Sequence, residues 1–448
     1  MPAKSLPQSP SLDHLKSQAL DLKRALLAGD EPARRRFQEH LPHLQDRLQH
    51  PASSSIRLAH AQLIVAREYG FPSWPKLKAH VESAQLKSGL DIAIRENNLA
   101  QVSAILDCRP QLLNEPVVSG NWGRPLVYAA QCGHLDLVKW LRARDRGDLQ
   151  HALSRAAMKA HTEVMDYLIA EGADPAGPYA EGMGDSYGPV ILSVLEALNS
   201  AGLEALLERG ASLTWKDSGG NQYSPLPMLL GTYTREPRSK HACLATCARY
   251  GLELPPTAPM AVHLGRRDLL QQHLDRDAKL FSRHYTLAAI YPIHAGSPSW
   301  DAGNADPLTE ETAGLHGAPL KGATLLHLAV EMDDLELASW MLGKGANPNV
   351  RSAIDRNGLG GLTPLFHAVV TLGKKDDGKA RMLLDAGADP LPRATFRKQL
   401  QHMGDADLER DILYHDVTPV EFAEQFPWKP AVCEPAVELL RNAAARSH

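Results

Sequence analysis

Cysteine is scarce in this chain. There are five among 448 residues, at positions 108, 132, 243, 247 and 433. An odd number at wide spacing excludes a disulfide framework and implies reduced thiols in a cytoplasmic compartment. Long apolar runs are missing too. No stretch approaches the ~18 consecutive apolar residues of a membrane-spanning helix, so no membrane association is expected. The first residues, MPAKSLPQSPSLDHLKSQ, hold no apolar core of a secretory signal, and none is expected. Charge of one sign is lacking as well. A formal net charge of -4 is small for this length and excludes a role resting on bulk attraction to polyanions.

Catalytic motifs are equally sparse. No G-x-S-x-G occurs, and no P-loop or G-x-G-x-x-G opens a strand–helix unit. Cys108 and Cys433 have no sequence-level catalytic partner. Gly358-Leu359-Gly360-Gly361 precedes Thr-Pro-Leu and reads as a hairpin rather than a phosphate cradle. No catalytic residue, metal site or cofactor is therefore assigned. Cys243 and Cys247 share a helix face beside His241, but no second ligand pair follows at zinc-module spacing, so they read as structural thiols. His263, His273, His284 and His294 recur every ten or eleven residues and read as scattered surface or turn histidines. Residues 1–80 hold 12 Lys/Arg against 7 Asp/Glu, including Arg34-Arg35-Arg36. That run reads as a solvated helix face, far short of a nucleic-acid footprint.

Helical spacing is abundant. At 448 residues the chain exceeds what one compact core supports, so it divides into domains or repeats. Residues 1–11 are Pro/Ser-rich and expected to be disordered. Residues 12–86 predict helices, with Leu12, Leu15, Ala19, Leu22 and Leu26 at helical spacing. Gly29-Asp30 breaks the first. Ile56–Tyr69 forms the third, closed by Gly70. Ser73 caps the last, Trp74–Ala84, with Pro75 in its first turn. Tyr69, Phe71, Trp74 and Leu77 are expected to knot two helices together.

From residue 88 onward a pattern recurs. Its fullest form is Gly322–Val350, GATLLHLAVEMDDLELASWMLGKGANPNV. Thr324, Thr363 and Thr418 stand where a hydroxyl can cap a helix, and Pro364 and Pro419 suit its first turn. Small Ala329 permits close helix approach. Gly345 and Gly387 take the left-handed conformation that ends the second helix. Similar units begin at Pro125, Ala156 and Thr418, giving about nine against a period of roughly 33 residues.

These phrases resemble the ankyrin repeat, and His327 sits at that family's TPLH histidine, where it is structural. Val127, Phe366 and Glu421 occupy the same position elsewhere. The segment Ala61–Glu82, with REYGF-x-SW, resembles a helical module ahead of the repeats in bacterial ankyrin proteins. The resemblance implies an all-α ankyrin-repeat solenoid with an N-terminal helical cap at 12–86. Degenerate repeats then fill 88–285, an insertion loop 286–320, and further repeats 321–448 with an insertion at 391–416.

The resemblance also implies an interaction scaffold whose partner is another protein, with nucleic acid not expected. Trp122, Tyr179, Tyr187, Trp215, Tyr223 and Trp300 lie in Gly/Asp/Ser/Pro-rich connections and are the candidate binding residues, with packing of each onto its own repeat as the alternative. An alternative is a small-ligand or metal-dependent enzyme or receptor. Its pocket would be built by 286–320, where His294, Asp301, Asp306, Glu310, Glu311 and His316 cluster.

Overall fold

The computed structural model describes residues 4–7, 10–44, 56–118, 123–144, 147–180, 188–216, 219–220, 222–232, 234–292, 317–399 and 411–446. The chain forms two compact units, Met1–Gly147 and Asp148–His448.

The first unit opens with helix Leu12–Leu27, whose Ser11 hydroxyl accepts the His14 N–H, and which buries Leu15, Ala19, Leu22 and Leu26. The Asp30 carboxylate caps helix Glu31–His40, with Pro32 in its first turn. Helix Leu58–Glu68 completes a core centred on Phe37, Leu26, Ile56 and Ile64. Leu77 belongs to that core, while Tyr69, Phe71 and Trp74 are partly buried along its rim. Aliphatic packing with one phenyl ring, rather than an aromatic knot, holds these helices.

Two features of this unit depart from the sequence expectation. The fourth helix runs from Trp74 to Arg95, through the expected boundary at 86–88. Nothing between Gln85 and Ile94 breaks it, and Gly89 sits where even a methyl would meet only Ile105 Cδ1, at 3.6 Å. Its second half pairs with Leu99–Cys108. The N-terminal segment is also tied down where it is described. The Lys4 N–H donates to the Glu68 carbonyl at 3.0 Å, and Gln85 Nε2 donates to the Pro10 carbonyl.

Glu68 is the polar anchor of this unit. Its carboxylate is 5% exposed and takes Arg36 Nε at 2.6 Å and Lys4 Nζ at 2.7 Å. Arg36 therefore leaves the solvated face expected for the Arg34–Arg36 run. Burial alone pushes the Glu68 pKa up, but the hydrogen bonds and charges of Arg36 and Lys4 outweigh it and hold the carboxyl below its ordinary value of 4.5. A depressed folded-state pKa gives stability above 4.5 that is lost as pH falls through the folded value. Amides of Leu58–Glu68 should thus lose hydrogen-exchange protection as pH drops below about 4.5, and Glu68→Gln should flatten that dependence. An unchanged pH profile in the variant would remove Glu68 from the acid response.

Nine helix pairs follow one another among the described residues. The first unit holds Trp74–Arg95 with Leu99–Cys108, then Pro125–Cys132 with Leu135–Arg142. The second unit holds seven, beginning with Leu149–Met158 and Thr162–Ala170 and ending with Pro419–Gln425 and Glu434–Arg446. Helix Ala258–His263 packs directly on Leu325–Glu331, so the stack is continuous across the long excursion between them. Thr324 and His327 form a reciprocal cap on the latter, as do Thr418 and Glu421 on Pro419–Gln425.

The unit beginning at Thr363 departs from this pattern. Its first helix is only Phe366–Val369, and the Thr363 hydroxyl caps nothing among the described residues. Val370 turns extended and pairs with Val432, which ends the helix, and the Thr363 carbonyl accepts the Phe366 N–H instead. Gly345, at φ 93°, closes helix Leu335–Gly343, where Ala346 N–H returns to the Met341 carbonyl.

Among the described residues two small antiparallel sheets interrupt the helices: Trp215–Lys216 with Gln222–Tyr223, and Ala394–Gln399 with Asp411–Val417. The second pairs the described ends of the expected insertion at 391–416 as two antiparallel strands, set against helix Pro419–Gln425. Phe396 and Tyr414 are cross-strand partners on its inner face.

Candidate functional site

The connecting turns of the second unit lie side by side. Tyr285 bridges Ala323, Ala353 N–H donates to the Gly322 carbonyl, Ser352 pairs with Leu362, and Gly360 bridges Thr395. Gly360, at φ 130°, permits this approach, because a Cβ there would stand 2.0 Å from the Ala353 carbonyl oxygen. These turns wall a cleft of about 260 Å³ whose lining includes Leu287, Ile354, Leu359, Leu362 and Phe396. Ile354 is the most open large apolar side chain among the described residues, at 62% exposure.

The polar side chains of the cleft are His284, Tyr285, Thr286, Lys321, Asp355 and Arg397. His284 Nε2 lies 2.9 Å from the Arg351 carbonyl. The Leu359 and Asn357 N–H groups hold the Asp355 carboxyl below its ordinary range, with Lys321 Nζ 3.6 Å away. That carboxylate is committed to its own turn.

Between helices Ala258–His263 and Leu325–Glu331 and their neighbours lies a buried charge network. Arg235 Nη2 meets Glu331 Oε1 at 2.9 Å, and Arg235 Nε donates to the Glu331 carbonyl. The second oxygen, Glu331 Oε2, takes His367 Nδ1 at 2.7 Å. Gly317 N–H donates to the same carboxylate at 3.3 Å. Lys240 Nζ lies 2.8 Å from His263 Nδ1, and His263 Nε2 donates to the Ile290 carbonyl. Burial, then the Arg235 charge, push the Lys240 amine well below its ordinary range. The network pins both ends of the excursion, at Ile290 and Gly317, to the helix stack. His263 is thus a buried structural residue, not the surface or turn histidine expected from its spacing.

The expected binding aromatics do not converge among the described residues. Tyr179 is buried, with its carbonyl on the Ser154 hydroxyl and its ring near His151. Tyr223 is buried and stacks on half-buried Trp215 at 6.2 Å across their short hairpin. These two tyrosines pack locally, Tyr179 against helix Leu149–Met158 and Tyr223 against Trp215. Trp122, Tyr187 and Trp300 lie outside the described residues, as do His294, Asp301, Asp306, Glu310, Glu311 and His316. Cys243 and Cys247 are fully buried, and burial pushes each thiol up to about 12, so both stay protonated. His327 is buried and spans from Thr324 to the Leu362 carbonyl at 2.9 Å, and burial brings its pKa down to about 3. It is a neutral brace between successive turns.

Stacked helix pairs joined by paired turns match two family models. One, for ankyrin repeats in three copies, covers residues 90–217, and one, for a single ankyrin repeat, covers 321–353. The chain carries ankyrin repeats. With a mostly helical structure and two small sheets among the described residues, they make the fold an all-α ankyrin solenoid. No curated protein matches the chain. The second ankyrin match supplies the middle turns of the cleft, Lys321–Gly322 and Ala353. No helix among the described residues is long and apolar enough to cross a membrane.

Sequence reasoning missed the cleft because it sought aromatics, whereas the open apolar groups are aliphatic. The signal was present in Arg351-Ser-Ala-Ile-Asp-Arg356, where one isoleucine stands alone in a polar turn.

Proposed function

We propose that this chain is a noncovalent protein-interaction scaffold acting in the cytoplasm, and that the cleft between its connecting turns is the contact surface. One observation carries the reading: Ile354, 62% exposed, overhangs an apolar cleft built from turns fixed by main-chain pairing. Recognition residues are commonly displayed on loops that a rigid scaffold holds in place. The five free cysteines accord with a reducing compartment. Half-buried Trp215 supplies a second candidate contact.

Affinity capture from the native cell, with wild type and two variants in parallel, tests the reading. Ile354→Asp should lose the wild-type partner by at least about tenfold, the scale of one well-placed contact. Ile92→Asp places the same charge on an exposed helix residue of the first unit and should keep that partner. Equal recovery with both variants would eliminate the cleft as the contact surface.

A further inference from the structure

One exposed turn beside the cleft carries a reactive pair of residues. Asn357-Gly358 is the single Asn-Gly step in the chain, and both residues are exposed. In such a step the glycine nitrogen can attack the asparagine side chain, because only one residue separates the two groups.

The asparagine amide is uncommitted. The Asn357 side chain makes no hydrogen bond among the described residues, although its main-chain N–H is held by Asp355. Asn98 and Asn199 instead cap helices with their side chains, and Asn349 holds both Gly387 and Asp389. The Asn347 carboxamide accepts the Asn349 N–H, and Pro348 after it has no N–H to lose.

The nitrogen that attacks is unobstructed. Gly358 lies at φ 76°, and a Cβ there would meet nothing within 4 Å. With no side chain of its own, the glycine leaves the approach to its nitrogen open.

What restrains the step is the turn itself. The Gly358 N–H donates to the Asp355 carbonyl at 2.9 Å, and the Asp355 N–H returns to the Leu359 carbonyl at 2.8 Å. The Asp355 carboxylate adds the Asn357 and Leu359 N–H groups at 2.8 and 3.1 Å. Arg356, Asn357 and Gly358 are all exposed, so opening this turn uncovers no core and is a local event.

We propose that Asn357 is a site of spontaneous deamidation whose rate is set by opening of the Asp355 turn. The Gly358 nitrogen, freed from the Asp355 carbonyl, gives its proton to solvent base and attacks the Asn357 side-chain carbonyl carbon. The new C–N bond closes a succinimide, and the bond to the side-chain NH2 breaks as ammonia leaves with a proton from solvent. Water then opens the ring at either carbonyl and leaves aspartate or isoaspartate. One water is consumed and one ammonia released, with no change of oxidation state. The isoaspartyl product carries the main chain through the former side chain and lengthens it by one carbon. The pairings of Gly358 and Leu359 with Asp355 cannot all survive that change, so the turn that follows Ile354 loses its register.

The test incubates the purified full-length chain beside a synthetic peptide spanning Arg351–Gly361, at neutral and at mildly alkaline pH. Mass mapping with isoaspartate methyltransferase labelling reads the product at each asparagine. Product should appear at Asn357 before any other described asparagine, and faster at the higher pH, where the Gly358 proton is more readily lost. It should form more slowly than in the peptide. Asp355→Ala removes two hydrogen bonds to a carboxylate and should speed the reaction about tenfold or more, toward the peptide's rate. Asn357→Gln must close a larger ring and should lose the product. In aged wild type, hydrogen exchange at Asp355 and Gly358 should quicken. An unchanged circular dichroism melt verifies that both variants fold.

An intact Asn357 under conditions that convert the peptide would overturn the site, as would earlier product at another described asparagine. Product at Asn357 with the same rate in wild type, Asp355→Ala and the peptide would overturn control by the turn.

Discussion

Replacing Glu331 with alanine is expected to destabilise the Asp148–His448 unit by about 3–5 kcal/mol, the range for removing one partner of a buried ion pair. The Glu331 side chain is fully buried and Arg235 is 1% exposed, so water cannot replace the lost carboxylate. Arg235 would keep the Glu331 and Thr232 carbonyls but would lose the carboxylate that faces it in the core. His367 Nδ1 would lose its acceptor as well, and its Nε2 already lacks a hydrogen-bond partner among the described residues. Gly317 N–H, at one end of the excursion, would be left without this carboxylate.

The loss should appear as a lower urea midpoint and as faster hydrogen exchange at Thr324–Asp334. Glu331→Gln retains the shape and one acceptor oxygen, so it should fall between wild type and alanine. Replacing Arg235 and Glu331 together by Met and Leu removes both charges and should recover part of the loss, because well-packed apolar pairs often equal buried ion pairs. A change below about 1 kcal/mol for Glu331→Ala, the scale of an exposed ion pair, would show that the pair is not shielded as its burial implies.

The contrast between this network and the repeat motif explains what the sequence disclosed. Capping threonines, turn glycines and small alanines act within a few residues, so Thr324, Gly345 and Thr418 were legible as local chemistry. Glu331 binds Arg235 across 96 positions and His367 across 36, and no short motif encodes such pairing. A weaker signal did exist. Glu331 lies four residues after His327, and Lys240 lies three and four residues before Cys243 and Leu244, on helix faces that are otherwise buried. A charge at a core-facing helical position announces a buried partner without naming it.

The cleft was less legible still. It depends on main-chain pairing between turns far apart in sequence, as Gly360 with Thr395 and Tyr285 with Ala323 show. The β-hairpin at 394–417 carries a helix-ambiguous pattern, and its strand character rests on partners outside it.

Those partners make Phe422 the second position of large expected effect. Phe422→Ala should cost about 3–5 kcal/mol, the range for truncating a buried phenyl ring to alanine. The ring is fully buried, with Tyr414, Phe396, Phe426 and Phe366 at centroid distances of 4.9, 5.1, 5.6 and 6.1 Å. Three of these contacts are edge-on and one is tilted, the arrangements aromatic pairs prefer. A two-stranded hairpin is marginal alone, so Phe396 and Tyr414, stacked at 5.2 Å across its strands, depend on Phe422 to hold them against the helices.

Truncation should therefore lower the urea midpoint and selectively speed hydrogen exchange across Ala394–Gln399 and Asp411–Val417. Because Phe396 also lines the cleft, the same variant should weaken recovery of the partner captured through the cleft. Tyr414→Phe is the control. It removes a buried hydroxyl that has no hydrogen-bond partner among the described residues, so stability should hold or rise. If Phe422→Ala left hairpin exchange untouched, main-chain pairing at Gly360 and Thr395 would have to hold the strands instead, and the far wall of the cleft would be independent of the aromatic core.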